Sequence, residues 1–340
     1  MRYLITGGAG FIGSAFIRYL LKTKQDIEVV NFDALTYAGN LQNLSDIEQD
    51  KRYQFVKGDI CDSQAVAKVI SPGDTIVHFA AESHNDRGIL DPGIFFKTNV
   101  VGTQTLLEAC RQNKIHRFHH ISTCEVFGDL ALNDDHAFKE SDPFLPRTPY
   151  NASKAGSVHA VMAYYHTFGL PVTVSHCCNN YGPYKFPEKI IPLFTTNALE
   201  DKPLPLFKSS QNRREWIHVD DHSAAVDFIL QKGRVGEAYN IGTGVEKSID
   251  DIADLVLNTL GKPLTLKTSI ADRQGHDRRY LLDITKIASE LNWSSKIKLE
   301  QGIVDTINWY RDHIDWWKNV KSGAYRDYYN LVYNSGNAKK

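Results

Sequence analysis

Along the first half of the chain, short apolar runs alternate with stretches of helical period. Residues 2–6 form an apolar strand, and residues 11–21 carry apolar side chains at helical spacing. Residues 28–32, 53–60, 75–79, 117–122 and 172–178 are further strand-like runs, and residues 96–110 have helical periodicity. A loop over residues 130–148, punctuated by Pro143 and Pro146, leads into another helix at Tyr150. This rhythm predicts an α/β chain with a doubly wound parallel sheet, whose ligand site lies at the carboxyl ends of the strands. After Asn179-Asn180-Tyr181-Gly182-Pro183 the rhythm breaks into proline-rich segments, short strands and clustered Arg, Lys and His. The expected organisation is a first domain over residues 1–178. A smaller mixed α/β domain covers residues 179–340, some of whose segments return to the first.

Bulk properties narrow the function classes. Thirty-nine Lys and Arg against 40 Asp and Glu give a net charge of -1, which argues against a general nucleic-acid or membrane-surface binder. No apolar run approaches the ~20 residues that span a bilayer. The first strand starts at once after Met1, so no signal peptide is expected. Five cysteines without C-x-x-C spacing indicate neither a zinc site nor a disulfide framework, and a reducing cytoplasm is expected.

Chemistry enters at two places. Gly7, Gly10 and Gly13 form G-x-x-G-x-x-G between the first strand and its helix. There the backbone turns tightly and aims the N–H groups of Phe11, Ile12 and Gly13 at a pyrophosphate, the pattern of a Rossmann-type dinucleotide site. Asp33 ends the second strand, about twenty residues on; its carboxylate suits two ribose hydroxyls and repels a 2′-phosphate, so NAD is expected over NADP. Asp59 and Ile60 end the third strand where adenine would lie, and Ala80 and Ala81 let the chain pass close beneath a cofactor. The second place is Thr123-Cys124-Glu125 followed by Tyr150 and Lys154. A Y-x-x-x-K pair shares one helix face, and an ammonium beside a phenol favours the phenolate, a usable base. Alone the pair is weak; with the glycine fingerprint it marks a site. His84, after the fourth strand, is expected to be a structural or substrate-binding hydrogen bonder. The basic clusters of the second half suit an anionic substrate held by arginine. The aromatic tail from Trp309 to Tyr333 is expected to serve packing or a subunit contact.

These pieces resemble the extended short-chain dehydrogenases/reductases acting on sugar nucleotides, and within them the dTDP-glucose 4,6-dehydratases along nearly the whole chain. The resemblance rests on Ala80-Ala81-Glu82-Ser83-His84, Tyr150-x-x-x-Lys154, Asn179-Asn180-Tyr181-Gly182-Pro183, Phe186-Pro187-Glu188-Lys189, Arg214-x-Trp216 and Gly275-His276-Asp277-Arg278-Arg279-Tyr280. It implies a homodimer, and a cofactor set that adds Ser83, Thr98 and Asn180, with Tyr150 and Lys154. It also implies a nucleotide-sugar set of Ser83, His84, Thr123, Asn179, Lys189, Ile190, Pro205, Phe207, Arg214, Asn240, Arg273 and His276, and no metal. The implied reaction is an internal redox cycle. Tyr150 takes the C4 hydroxyl proton as hydride passes to NAD, Glu125 abstracts the C5 proton, water leaves from C6 and hydride returns to C6. The chain departs from the family's Thr-Asp-Glu, where aspartate is the acid for the C6 hydroxyl, by carrying Cys124. Its protonated thiol is expected to replace that acid among the catalytic residues Thr123, Cys124, Glu125, Tyr150 and Lys154. The family's His-Val-Asp-Arg-Ser is here His84-Asn85-Asp86-Arg87-Gly88. Thr-Cys-Glu also resembles UDP-apiose/UDP-xylose synthases and a 5,6-dehydratase type. A related enzyme with another outcome, such as 5,6-elimination, epimerisation or decarboxylation, is therefore the alternative, and a non-catalytic nucleotide-sugar binder the third reading.

Overall fold

The computed structural model describes residues 1–272 and 275–322. Twelve strands occur among them: β1 Arg2–Thr6, β2 Glu28–Asp33, β3 Tyr53–Lys57, β4 Thr75–His78, β5 Arg117–Thr123, β6 Val172–Cys177, β7 Asn179–Tyr181, β8 Leu204–Phe207, β9 Arg213–His218, β10 Ala238–Ile241, β11 Glu246–Ser248 and β12 Lys267–Ile270. Seven make one wholly parallel sheet in the order β10-β6-β5-β4-β1-β2-β3. The strand order reverses at β1, so β1 and β4 diverge to opposite helical connections and open a crevice at their carboxyl ends. The β1, β2, β4, β5 and β6 runs are buried almost throughout because both faces of this sheet are covered, by two large apolar clusters.

Helix boundaries departed from the periodic reading. Residues 96–110 fall across the α-helix Pro92–Phe96, a π-helical turn Lys97–Gly102 and the α-helix Thr103–Asn113. The π turn sets Asn99 against the backbone of Glu82: its Oδ1 accepts from Glu82 N and its Nδ2 donates to Glu82 O, both at 2.9 Å. The third strand ends at Lys57, which leaves Gly58, Asp59 and Ile60 in the loop.

Past residue 178, β10 joins the edge of the large sheet beside β6. Two small sheets, β11-β9-β7 and β12-β8, pack with the helices Ile190–Leu199, Ile249–Leu260 and Leu299–Asp312 around a third apolar cluster. Among the described residues no helix is long and apolar enough to cross a membrane.

Candidate active site

The glycine turn is held by its own backbone. Gly7 adopts φ +70°, its N–H donates to Phe32 O at 2.9 Å, and Gly10 N–H donates to Gly7 O at 3.2 Å. A Cβ on Gly13 would stand 2.4 Å from Gly7 O, so helix and turn approach as only glycine permits. The helix Phe11–Thr23 starts at Gly10 with no side-chain cap, which leaves its first N–H groups for an anion. Asp33 is buried beside the turn; its Oδ2 accepts from Ala9 N at 2.9 Å and its Oδ1 from Leu35 N at 2.8 Å. Burial raises its carboxyl above the ordinary range, against the pull of those two bonds.

One cleft runs from this turn to Tyr150. Every predicted cofactor residue lies on its wall: Gly7, Gly10, Phe11, Ile12, Gly13, Asp33, Asp59, Ile60, Ala80, Ala81, Ser83, Thr98, Tyr150, Lys154 and Asn180. Thr123, Glu125, Asn179 and Lys189 also line it. Asn180 Oδ1 is buried there with no hydrogen-bond partner, a cost of about 1–3 kcal/mol that a ligand N–H would remove. An uncapped helix start, a buried acid at the second strand end and an orphaned amide oxygen fit a dinucleotide lying along the cleft.

Tyr150 and Lys154 share the helix Pro149–Phe168, which Thr148 caps by accepting from Asn151 N at 3.2 Å. Lys154 does not draw the phenol down. Its Nζ donates to Ile121 O at 2.7 Å, and burial lowers its ammonium to about 8. Burial, then the Glu125 charge, raise the Tyr150 phenol well above its ordinary range, opposed by a hydrogen bond with the Thr123 hydroxyl. Glu125 sits on the 3-10 turn Cys124–Phe127, where its Oε2 accepts from Asn85 Nδ2 at 2.9 Å. Cys124 is 1 % exposed and absent from the cleft wall; burial, then Glu125, push its thiol far above the ordinary range.

The remaining predicted substrate residues are dispersed. His84 is buried, with Nε2 3.9 Å from Glu188, and Ile190 starts the helix Ile190–Leu199. Pro205 and Phe207 lie on β8, and the Phe207 ring meets the His276 ring edge-on at 5.1 Å. Arg214 is buried with its guanidinium 4.5 Å from the Tyr280 ring centre and donates to Asp277 O at 2.7 Å. Asn240 is fully buried on β10, where its Nδ2 donates to Phe138 O at 2.8 Å and to Asp283 O at 3.2 Å. Its amide nitrogen holds two loops, and the side chain does not line the cleft. Arg273 lies outside the described residues.

The sequence profile of the GDP-mannose 4,6 dehydratase family matches residues 4–306. The dTDP-glucose 4,6-dehydratase of Salmonella typhimurium is 46% identical, with 96% of this chain and 98% of that one aligned. The chain belongs to the dTDP-glucose 4,6-dehydratase family. The dTDP-glucose 4,6-dehydratase of Streptomyces venezuelae, solved with NAD and dTDP bound, superposes with a TM-score of 0.92 at 46% identity, covering 94% of this chain and all of that one. A more distant fold relative is the UDP-glucuronic acid 4-epimerase of Bacillus cereus, solved with UDP-glucuronic acid and NAD. It is 28% identical with a TM-score of 0.84, over 92% of this chain and 99% of that one.

Within this dehydratase-family cleft, several wall residues escaped sequence reasoning. Lys185 lines it, and burial with the nearby Lys189 charge brings its ammonium down to about 7. Trp316 and Val320 reach it from the far end of the chain. Tyr37 lines it too, under the Arg87 guanidinium at 3.8 Å, while Arg87 Nε donates to Glu188 at 3.1 Å. The one usable signal was Arg87, three residues past His84; nothing local marks Tyr37 or Trp316.

Proposed function

We propose that the protein converts dTDP-glucose to dTDP-4-keto-6-deoxyglucose in a reducing cytoplasm, with NAD held along the cleft. Residues 1–178 mainly hold the cofactor, joined by Asn180, and residues 179–340 mainly the nucleotide-sugar. The observation that carries this reading is the meeting of the glycine turn, Asp33, Thr123, Glu125, Tyr150 and Lys154 in one cleft. The full-length similarity to dehydratases supports it.

NAD supplies the redox capacity, removing a hydride at C4 and restoring one at C6 without net consumption. The chain's own groups move the protons. Tyr150, in hydrogen-bond contact with Thr123, accepts the C4 hydroxyl proton. Burial disfavours its phenolate, so the Lys154 ammonium must turn towards it when the cleft is filled. Glu125 takes the C5 proton, which the C4 ketone acidifies. A carboxylic acid on the cleft wall is then in place to protonate the departing C6 hydroxyl, and we assign that step to Glu125. The Cys124 thiol is off the wall and too weak an acid to compete. Glu125 later returns a solvent-derived proton to C5.

The test is incubation with dTDP-glucose in deuterated water, read by mass spectrometry. Loss of water with one deuterium at C5 is expected. Unaltered dTDP-glucose, together with turnover of a UDP-sugar or uronic acid, would overturn the reading in favour of another nucleotide-sugar outcome. Homodimerisation, which the family resemblance implies, is part of the proposal, and exposed Phe96 and Val101 support it. Sedimentation as a monomer at all concentrations would exclude it.

A further inference from the structure

Asn85 opens the helix Asn85–Leu90, which follows β4. Its side chain bridges two parts of the site. Nδ2 donates to Glu125 Oε2 at 2.9 Å, and Oδ1 accepts from the Thr148 hydroxyl at 2.8 Å. The same Thr148 oxygen accepts from Asn151 N as the cap of the helix bearing Tyr150 and Lys154. The amide has one workable orientation, because a reversed group would set its carbonyl oxygen against the Glu125 carboxylate. Glu125 stands on a four-residue 3-10 turn, and no other side chain donates to its carboxylate among the described residues. A glutamate on such a turn has three rotatable bonds to freeze, and the Asn85 amide is the group that freezes them.

We infer that Asn85 is a positioning residue for the C5 proton abstraction. It locks Glu125 Oε2 to the cap of the Tyr150 helix. This fixes the base of the second step relative to the base of the first, and leaves Oε1 for the sugar. The inference rests on the reading of Glu125 as that base. It predicts a division between half-reactions: C4 oxidation depends on Tyr150 and proceeds without Asn85, whereas elimination depends on where Glu125 stands. Misplacing a reacting group by about 1 Å costs up to about 10²-fold.

The experiment is a single turnover of dTDP-glucose by the holoenzyme, following reduced-cofactor absorbance and, by rapid quench and mass spectrometry, loss of water. In Asn85→Leu, oxidation is expected within about threefold of wild type and elimination about 10–100-fold slower, so reduced cofactor accumulates. Asn85→Asp is isosteric and keeps the acceptor for Thr148, so it serves where the leucine variant fails to fold. It sets a second carboxylate against Glu125 and is expected to slow elimination at least as much. Both steps slowed by one common factor, or neither slowed, would overturn the inference while wild-type turnover kept the proposed function intact. A wild type that oxidises dTDP-glucose and never loses water would remove both.

Discussion

A thiol and a carboxylate separated by one peptide bond have opposite prospects as proton carriers here. Cys124 is buried, off the cleft wall, and held protonated by burial and by the neighbouring Glu125 charge. Glu125 is on the wall. Replacing Cys124 by Ala is therefore expected to change kcat on dTDP-glucose by less than about tenfold, whereas Glu125→Gln lowers it by about 10²–10⁴. Equal losses in the two variants would return the acid role to the thiol. Lys154 gives a pH prediction. Burial takes its ammonium down to about 8, so the group is charged below that pH and neutral above it. The phenolate of Tyr150 needs the charged form, so kcat/KM is expected to fall as pH rises through about 8. Lys154→Met should be slower and lack that limb; a wild-type profile flat through pH 9 would count against the ammonium's part. At this scale Tyr150 and Lys154 stood out by their spacing and Glu125 by the resemblance to dehydratases, and the fold brings all three to one cleft wall. Asn85 was not legible, because its meaning depends on Glu125 and on Thr148, both brought to it only by the fold.

Elements were legible where one period ran unbroken between strong boundary residues. The strand, glycine turn and helix of residues 2–23 came out nearly whole, because Gly7, Gly10 and Gly13 are boundary and function at once. The helix expected over residues 96–110 did not. Its apolar spacing continues through the π turn, and what inserts the extra residue is a tertiary demand, Asn99 bonding to the backbone of Glu82. Histidines on the central strands were equally opaque. His78 and His119 are fully enclosed and bonded to Thr6, Thr103, Thr173 and Ser175, and burial takes each down to about 3, so they behave as neutral core residues. The glycine turn yields the test at this scale. In Gly13→Ala the new Cβ would meet Gly7 O at 2.4 Å, a backbone atom that cannot swing aside, so the turn must open. The purified variant is expected to retain at least about tenfold less NAD than wild type, measured after acid extraction. A stoichiometric cofactor content would show that the turn tolerates the methyl group.

The molecule as a whole closes its cleft with a segment far along the chain. The helix Ile314–Val320 brings Trp316 and Val320 onto the wall. Trp316 Nε1 donates to Asn43 Oδ1 at 3.1 Å, and Asn43 Nδ2 donates in turn to Ala9 O at 3.0 Å, inside the glycine turn. Aromatic contacts reinforce this tie. Tyr184 lies between Trp309, at 4.5 Å, and Trp316, at 5.6 Å, and the Arg18 guanidinium rests 4.3 Å from the Tyr184 ring centre. From sequence the tail from Trp309 to Tyr333 looked like packing or a subunit contact, since aromatic composition says nothing of a partner 273 residues away; its part beyond residue 322 lies outside the described residues. A cofactor that is regenerated in every cycle gains from slow release, and this staple is placed to provide it. Trp316→Ala removes one hydrogen bond and the ring contact with Tyr184, together about 1–2 kcal/mol, so NAD dissociation is expected to speed up by about 5–30-fold. Tyr150 and Glu125 are untouched by that change, so kcat at saturating NAD should stay near wild type. The check is stopped-flow displacement of bound NAD alongside steady-state turnover. Unchanged release would mean that the helix only packs beside the cleft, and a fall in kcat at saturating cofactor would mean that it shapes the reacting end as well.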